Sequence, residues 1–137
     1  MTLKEYLNNY DKFAASNGIQ IIEIKKEYAK ASMKVTSNHL NAGGICQGGA
    51  LFTLADLVFA ALVNMNKFLS VGINSTIYYH LAGKLGDTLI AEGHILLEHH
   101  KIPSAQVSIF NQNNEKLATF SAQAYTKKIE LKFSGLE

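Results

Sequence analysis

At 137 residues, 47% hydrophobic and 18% charged with a single proline, the chain has the composition of one compact globular domain and is short for two. Thirteen cations against eleven anions leave a formal charge of only +2, which argues against a nucleic-acid binder. Every cation is lysine, so a phosphorylated ligand would have to be met by lysines, backbone amides or a helix end rather than by a guanidinium fork.

From Thr2 to Ser16 the apolar residues Leu3, Tyr6, Leu7, Tyr10, Phe13 and Ala14 recur at three- and four-residue intervals, which predicts a short amphipathic helix ended by Asn17-Gly18. Its other residues are ordinary polar ones, and the helix is assigned packing only. The same segment carries Lys4, Glu5, Asp11 and Lys12 and has no continuous apolar stretch, unlike a secretory signal. With the lone cysteine, Cys46, unable to form an internal disulfide, a cytoplasmic location is expected.

Strands follow over Gly18–Ile24 and Ala29–Val35, the second with strict alternation, and Lys25-Lys26 marks the turn between them. Val71–His80, Asp87–Leu97, Ser104–Phe110 and Leu117–Thr126 also read as strands, with Asn111–Glu115 as a hairpin tip. The tail Lys127–Glu137 either extends the last strand or frays.

Gly48 to about Asn66 breaks this rhythm with nineteen residues and one charge, Asp56. Apolar side chains from Leu51 to Met65 cover nearly its whole circumference, which predicts a helix enclosed on almost every side. A membrane span is disfavoured by Gly48-Gly49, Thr53 and the central aspartate. The expected architecture is α+β: a long central helix hugged by a curved antiparallel sheet, with a second helix at the amino end.

Asp56 is the most informative residue. A carboxylate in a greasy helix suffers a desolvation penalty that raises its pKa, and such acids tend to be functional; an aspartate reaching a solvent gap is the plainer alternative. Just before the helix stands Asn41-Ala-Gly-Gly-Ile-Cys-Gln47-Gly48-Gly49. Amides at the helix start lack intrahelical acceptors and sit at the positive end of the macrodipole, so they suit a carbonyl or oxyanion. The glycines equally suit a tight turn into the helix. Gly48 and Asp56 lie eight residues apart, about 12 Å along one axis, so they cannot both touch one carbonyl. If they cooperate, Asp56 of one chain faces Gly48 of another across a twofold axis, which implies a homodimer.

Asn41, Gln47-Gly48-Gly49, Leu51-Phe52, Leu54-Ala55-Asp56 and Phe59-Ala60, with Lys84-Leu85-Gly86-Asp87 after Ile77-Tyr78-Tyr79, together resemble the hotdog-fold thioesterases of the phenylacetic-acid-pathway (PaaI-like) type. The resemblance covers about residues 20 to 127 and implies a single hotdog domain over 1–137, with 1–17 as the amino-terminal helix and 18–130 as the core. It also implies hydrolysis of an acyl-coenzyme A thioester by a dimeric, usually tetrameric, enzyme without metal or prosthetic group. Carried over, the catalytic acid falls on Asp56, the carbonyl-polarising amide on Gly48 and the water- or substrate-positioning amide on Asn41. Asp56 would act as general base or as nucleophile.

Family members commonly have histidine before the paired glycines; Gln47 here can orient but cannot relay a proton. The water-holding serine or threonine of some relatives falls on Gly72, with Ser70 and Ser75 nearby. Gly49 is assigned to substrate binding and Lys84 to the coenzyme A phosphates. Cys46 has no base beside it and is read as a spectator. His99-His100 point to opposite strand faces, which makes them poor metal co-ligands. His80 is set aside as structural, and Tyr78, Tyr79, Phe52 and Phe59 are assigned to core packing before any role in an acyl tunnel. Two other readings compete: a non-catalytic acyl-CoA sensor, and a hotdog hydratase or dehydratase, which lacks its usual histidine motif here.

Overall fold

The computed structural model describes residues 1–137. Helix α1 (Leu3–Tyr10) begins with a reciprocal cap: Thr2 Oγ1 accepts from the Glu5 amide and the Glu5 carboxylate accepts from the Thr2 amide. The single amino-terminal helix expected from periodicity is broken at Asp11. Its amide donates back to Leu7 to end α1, while its carboxylate accepts from the Ala14 amide to start α2 (Lys12–Ser16). Periodicity reports which faces are sticky; it does not register that an aspartate inside the pattern makes a better cap than a helix interior.

The strands are β1 (Gln20–Lys25), β2 (Tyr28–Lys34), β3 (Phe68–Tyr79), β4 (Thr88–Leu97), β5 (Ser104–Phe110) and β6 (Lys116–Glu130), and between β2 and β3 runs α3 (Gly48–Asn64). All neighbouring strands pair antiparallel in the order β1-β2-β4-β5-β6-β3. This is the α+β hotdog arrangement, one curved sheet around one long helix. The tail after Glu130 does not fray. It returns to the amino end, where Leu3 and Lys4 amides donate to the carbonyls of Gly135 and Leu136 at 3.0 Å each.

Alternation along β2 and β5 sends Ala29, Ala31 and Met33, and Ala105, Val107 and Ile109, under α3. Small residues let the helix settle deep. At Gly93 on β4 an added Cβ would stand 2.7 Å from the Gln106 carbonyl oxygen and 3.0 Å from Val58 on α3, so only glycine fits. Buried Leu51, Leu54, Leu57, Val58, Ala61 and Leu62 form the sheet-facing side of α3.

Contrary to the sequence expectation, α3 is not enclosed all round. Gly49 and Asp56 are exposed and Phe52, Thr53 and Ala60 only half-buried, a stripe at helical spacing that the curved sheet does not reach. Strand β3 is likewise open on one side. It forms a sheet edge twelve residues long and presents Val71, Ile73 and Tyr78 to solvent. No helix of the chain is long and apolar enough to cross a membrane.

Candidate active site

The loop before α3 is built around Asn41. Its side-chain oxygen accepts from the amides of Gly43 (2.9 Å) and Ile45 (3.3 Å), and Gly44 takes a left-handed conformation at φ 80° to close the turn. Asn41 Oδ1 is therefore occupied in shaping the loop, which leaves the Nδ2 group as the part free for a ligand.

The four amides that open α3 are used unequally. The Gln47 carbonyl accepts from Ala50 and Leu51, and Gln47 Oε1 accepts from Gly49 in a short hydrogen bond. Only the Gly48 N–H has no acceptor in the chain. Gln47 thus acts as the cap of the helix, and Gly49, with its amide engaged, offers a ligand no donor.

Tyr79, at the end of β3, covers the same glycine. Its hydroxyl donates to the Gly48 carbonyl at 3.0 Å, and its ring lies where a Cβ on residue 48 would be, 2.9 Å from Cζ. The expected core role of Tyr79 does not hold, since it is 52% exposed. Phe52 and Phe59 do pack as expected, each edge-on to buried Phe120.

Asn41, Gly48, Tyr79 and His80 line a cleft of about 390 Å³ with Ile45 and Leu51. His80, set aside on sequence grounds, stands there with Nε2 2.9 Å from Thr119 Oγ1. The one signal for these two residues was their place at a strand end, and local pattern does not say which strand end meets the glycine loop. Gln47, Gly49 and Thr53 line a second cleft of about 500 Å³ with Phe13 and His39. Lys84 lies in neither. It borders a surface cleft with Asp87 and Glu115, which shares Leu81 and Ala82 with the Gly48 cleft.

Asp56 stands apart from Gly48 within the chain, two turns along the open stripe. Although solvent reaches it, the surrounding protein desolvates its carboxyl, and together with the negative charge of Asp11 this holds its pKa above the ordinary aspartate value. Burial, with the charge of Asp87 second, also pushes the Cys46 thiol up, which disfavours the nucleophilic thiolate. Of the residues near the Gly72 position, Ser70 is consumed by Thr126 Oγ1 at 2.8 Å and by the Phe68 carbonyl, while Ser75 sits exposed on the edge strand. His99 Nδ1 accepts from the amides of Lys101 and Ile102, a loop-shaping role.

The thioesterase superfamily profile matches residues 43–118, a span that holds Gly48, Asp56 and Tyr79. The chain belongs to the thioesterase superfamily. Within it the likeness is to the PaaI-like hotdog enzymes: the chain is 32% identical over 115 residues to the acyl-coenzyme A thioesterase PaaI of Escherichia coli, covering 84% of this chain and 82% of the relative. The solved structure of the E. coli PaaI protein from the phenylacetic acid degradation operon superposes with a TM-score of 0.90 at 28% identity, over 95% of this chain and 94% of that one. A Streptococcus mutans protein solved with acetyl CoA matches with a TM-score of 0.78 at 25% identity, over 83% of this chain and 91% of that one. The matched span of this thioesterase includes the Gly48-Gly49 start of α3, and Asn41 lies two residues ahead of it.

Proposed function

We propose that the chain hydrolyses acyl-coenzyme A thioesters in sites shared between two copies. The observation that carries this reading is the Gly48 amide, the one unpaired donor at the start of a seventeen-residue helix, in a residue that lines one cleft with Asn41. A thioester carbonyl bound there gains a donor and a helix dipole aimed at the oxygen where negative charge develops.

The acid comes from the other copy. Strand β3, paired with β6 on one side only, leaves its outer edge without a strand partner and carries exposed apolar side chains, which suits antiparallel pairing with a second β3 around a twofold axis. Such pairing sets two α3 helices antiparallel with their open stripes together. The offset of about 12 Å between Gly48 and Asp56 then brings Asp56 of one copy beside Gly48 of the other. A homotetramer of two such dimers follows the resemblance.

In either chemistry the Asp56 carboxylate must be ionised. As base it takes a proton from a water that attacks the thioester carbon; as nucleophile it attacks that carbon and the mixed anhydride is then hydrolysed. The oxyanion collapses in both cases and expels the coenzyme A thiolate. The free Asn41 amide group orients water or substrate. Lys84, along the surface beyond Leu81 and Ala82, meets the phosphates of coenzyme A. Residues 18–130 serve as the hotdog core, and 1–17 pack against it.

The test is thiol release from short, medium, long and aryl acyl-CoAs, with Asp56→Asn alongside. Turnover should fall by about 10²- to 10⁴-fold in the variant, with oligomeric state unchanged. Binding of acyl-CoA without turnover by the parent protein on every chain tried would contradict catalysis and favour a sensor.

A further inference from the structure

We infer that Tyr79 is a positioning residue that fixes the polarising amide of Gly48; this rests on the assignment of Gly48 above. The two peptide units flanking Gly48 are each held at defined atoms. The unit between Gln47 and Gly48 has its oxygen bonded by the Ala50 and Leu51 amides, so its free N–H projects from a pinned plane. The unit between Gly48 and Gly49 is gripped at both ends: its N–H by Gln47 Oε1 and its oxygen by the Tyr79 hydroxyl at 3.0 Å.

These clamps matter because the residue between the two planes is glycine, the residue with the most conformational freedom to lose. An amide that wanders by tens of degrees stabilises an oxyanion poorly, whereas a fixed one costs no reorganisation when charge develops. Glycine is in turn required because the Tyr79 ring occupies the space of a side chain, 2.9 Å from the Cβ position. Tyr79 and Gly48 are one device. The tyrosine comes from the end of β3, the strand assigned to the dimer interface, so subunit pairing and amide alignment share a single element.

Tyr79→Phe keeps the ring over Gly48 and removes only the donor. Because the side chain is half-exposed, the variant should fold, with its melting temperature lowered by no more than about 6 °C. We expect kcat to fall about 3- to 10-fold, the scale of one ordinary hydrogen bond, with KM nearly unchanged. A second readout separates positioning from general loosening: the infrared carbonyl stretch of a bound, non-hydrolysable acyl-CoA analogue with methylene in place of the thioester sulfur. The parent protein should shift this band to lower frequency, and Tyr79→Phe should shift it less. An unchanged kcat, or a lowered kcat with the full band shift retained, overturns the role of Tyr79 while leaving Gly48 intact. A parent protein that binds the analogue with no band shift at all overturns the assignment of Gly48 itself, and that of Tyr79 with it.

Discussion

Replacing Gly48 by alanine puts a methyl group 2.9 Å from both Cζ and Oη of Tyr79, where carbon contacts settle at about 3.5–4.0 Å. The ring must withdraw by roughly 0.5–1 Å, which takes the hydroxyl out of hydrogen-bonding range of the Gly48 carbonyl. Since Tyr79 is 52% exposed, it swings into solvent rather than strain the core. The lost hydrogen bond costs about 0.5–1.5 kcal/mol, and alanine in place of glycine at a helical position returns up to about 1 kcal/mol. The net cost stays below about 1.5 kcal/mol, so the melting temperature should fall by no more than about 6 °C for a chain of this size. Activity behaves differently, because the amide survives without its alignment. Complete loss of one oxyanion donor costs about 10²- to 10³-fold, so a misaligned one should cost about 10-fold in kcat. Thiol release and thermal unfolding on the same sample decide the matter. A variant as fast as the parent would refute the link between alignment and rate, and one that melts far lower would show the glycine to be structural only.

Acidification should remove activity at a higher pH than an ordinary aspartate would give, because the proposed mechanism needs Asp56 ionised and its pKa is raised. Asp11→Asn removes one cause of that shift and should move the acidic limb of the pH profile downward. The same shift fixes a stability trend. The folded chain holds the Asp56 proton to higher pH than the unfolded chain does, so stability falls as pH rises between the unfolded and folded pKa values. Asp56→Asn should therefore melt above the parent at neutral pH and lose that advantage below the ordinary aspartate range, as parallel melts at several pH values would register. Gly93→Ala drives a methyl into the Gln106 carbonyl and Val58 and should cost about 2–3 kcal/mol in urea unfolding while leaving the kcat of the folded fraction unchanged.

Local pattern carried the elements well. The alternation in β2, the unbroken composition of α3 and the turn at Asn111–Glu115 each report a periodicity that one stretch of chain contains. Spatial order is not such a property. That β3 lies at a sheet edge, hydrogen-bonded only to β6, depends on β4 and β5 intervening on the far side, and no window of sequence records it. For the same reason the apolar circumference of α3 suggested full enclosure, whereas one stripe lies open. Phe52 and Ala60 on that stripe are as apolar as their buried neighbours. At the site, Asp56 stood out because a charge in a greasy helix is costly, and Gly48 because paired glycines open that helix. Tyr79 gave no such signal, because tyrosine at a strand end is ordinary until another element passes beneath it. Gln47 was legible as a residue unable to relay protons; its use as a helix cap depends on backbone angles that sequence does not display.

Mixing two inactive variants tests the shared site most directly. Gly48→Pro deletes the polarising N–H at a position where proline is tolerated in a helix, with Gly48→Ala as the control that makes the Tyr79 contact but keeps the amide. Asp56→Asn deletes the acid. In the proposed arrangement each homodimer has two dead sites, but a mixed dimer pairs the intact Asp56 of one subunit with the intact Gly48 of the other in one of its two sites. Unfolding the two variants together and refolding them should restore thiol release to about a quarter of the parent rate: half the dimers are mixed, and each has one working site. If acid and amide served the same site from one chain, the mixture would stay as inactive as its components.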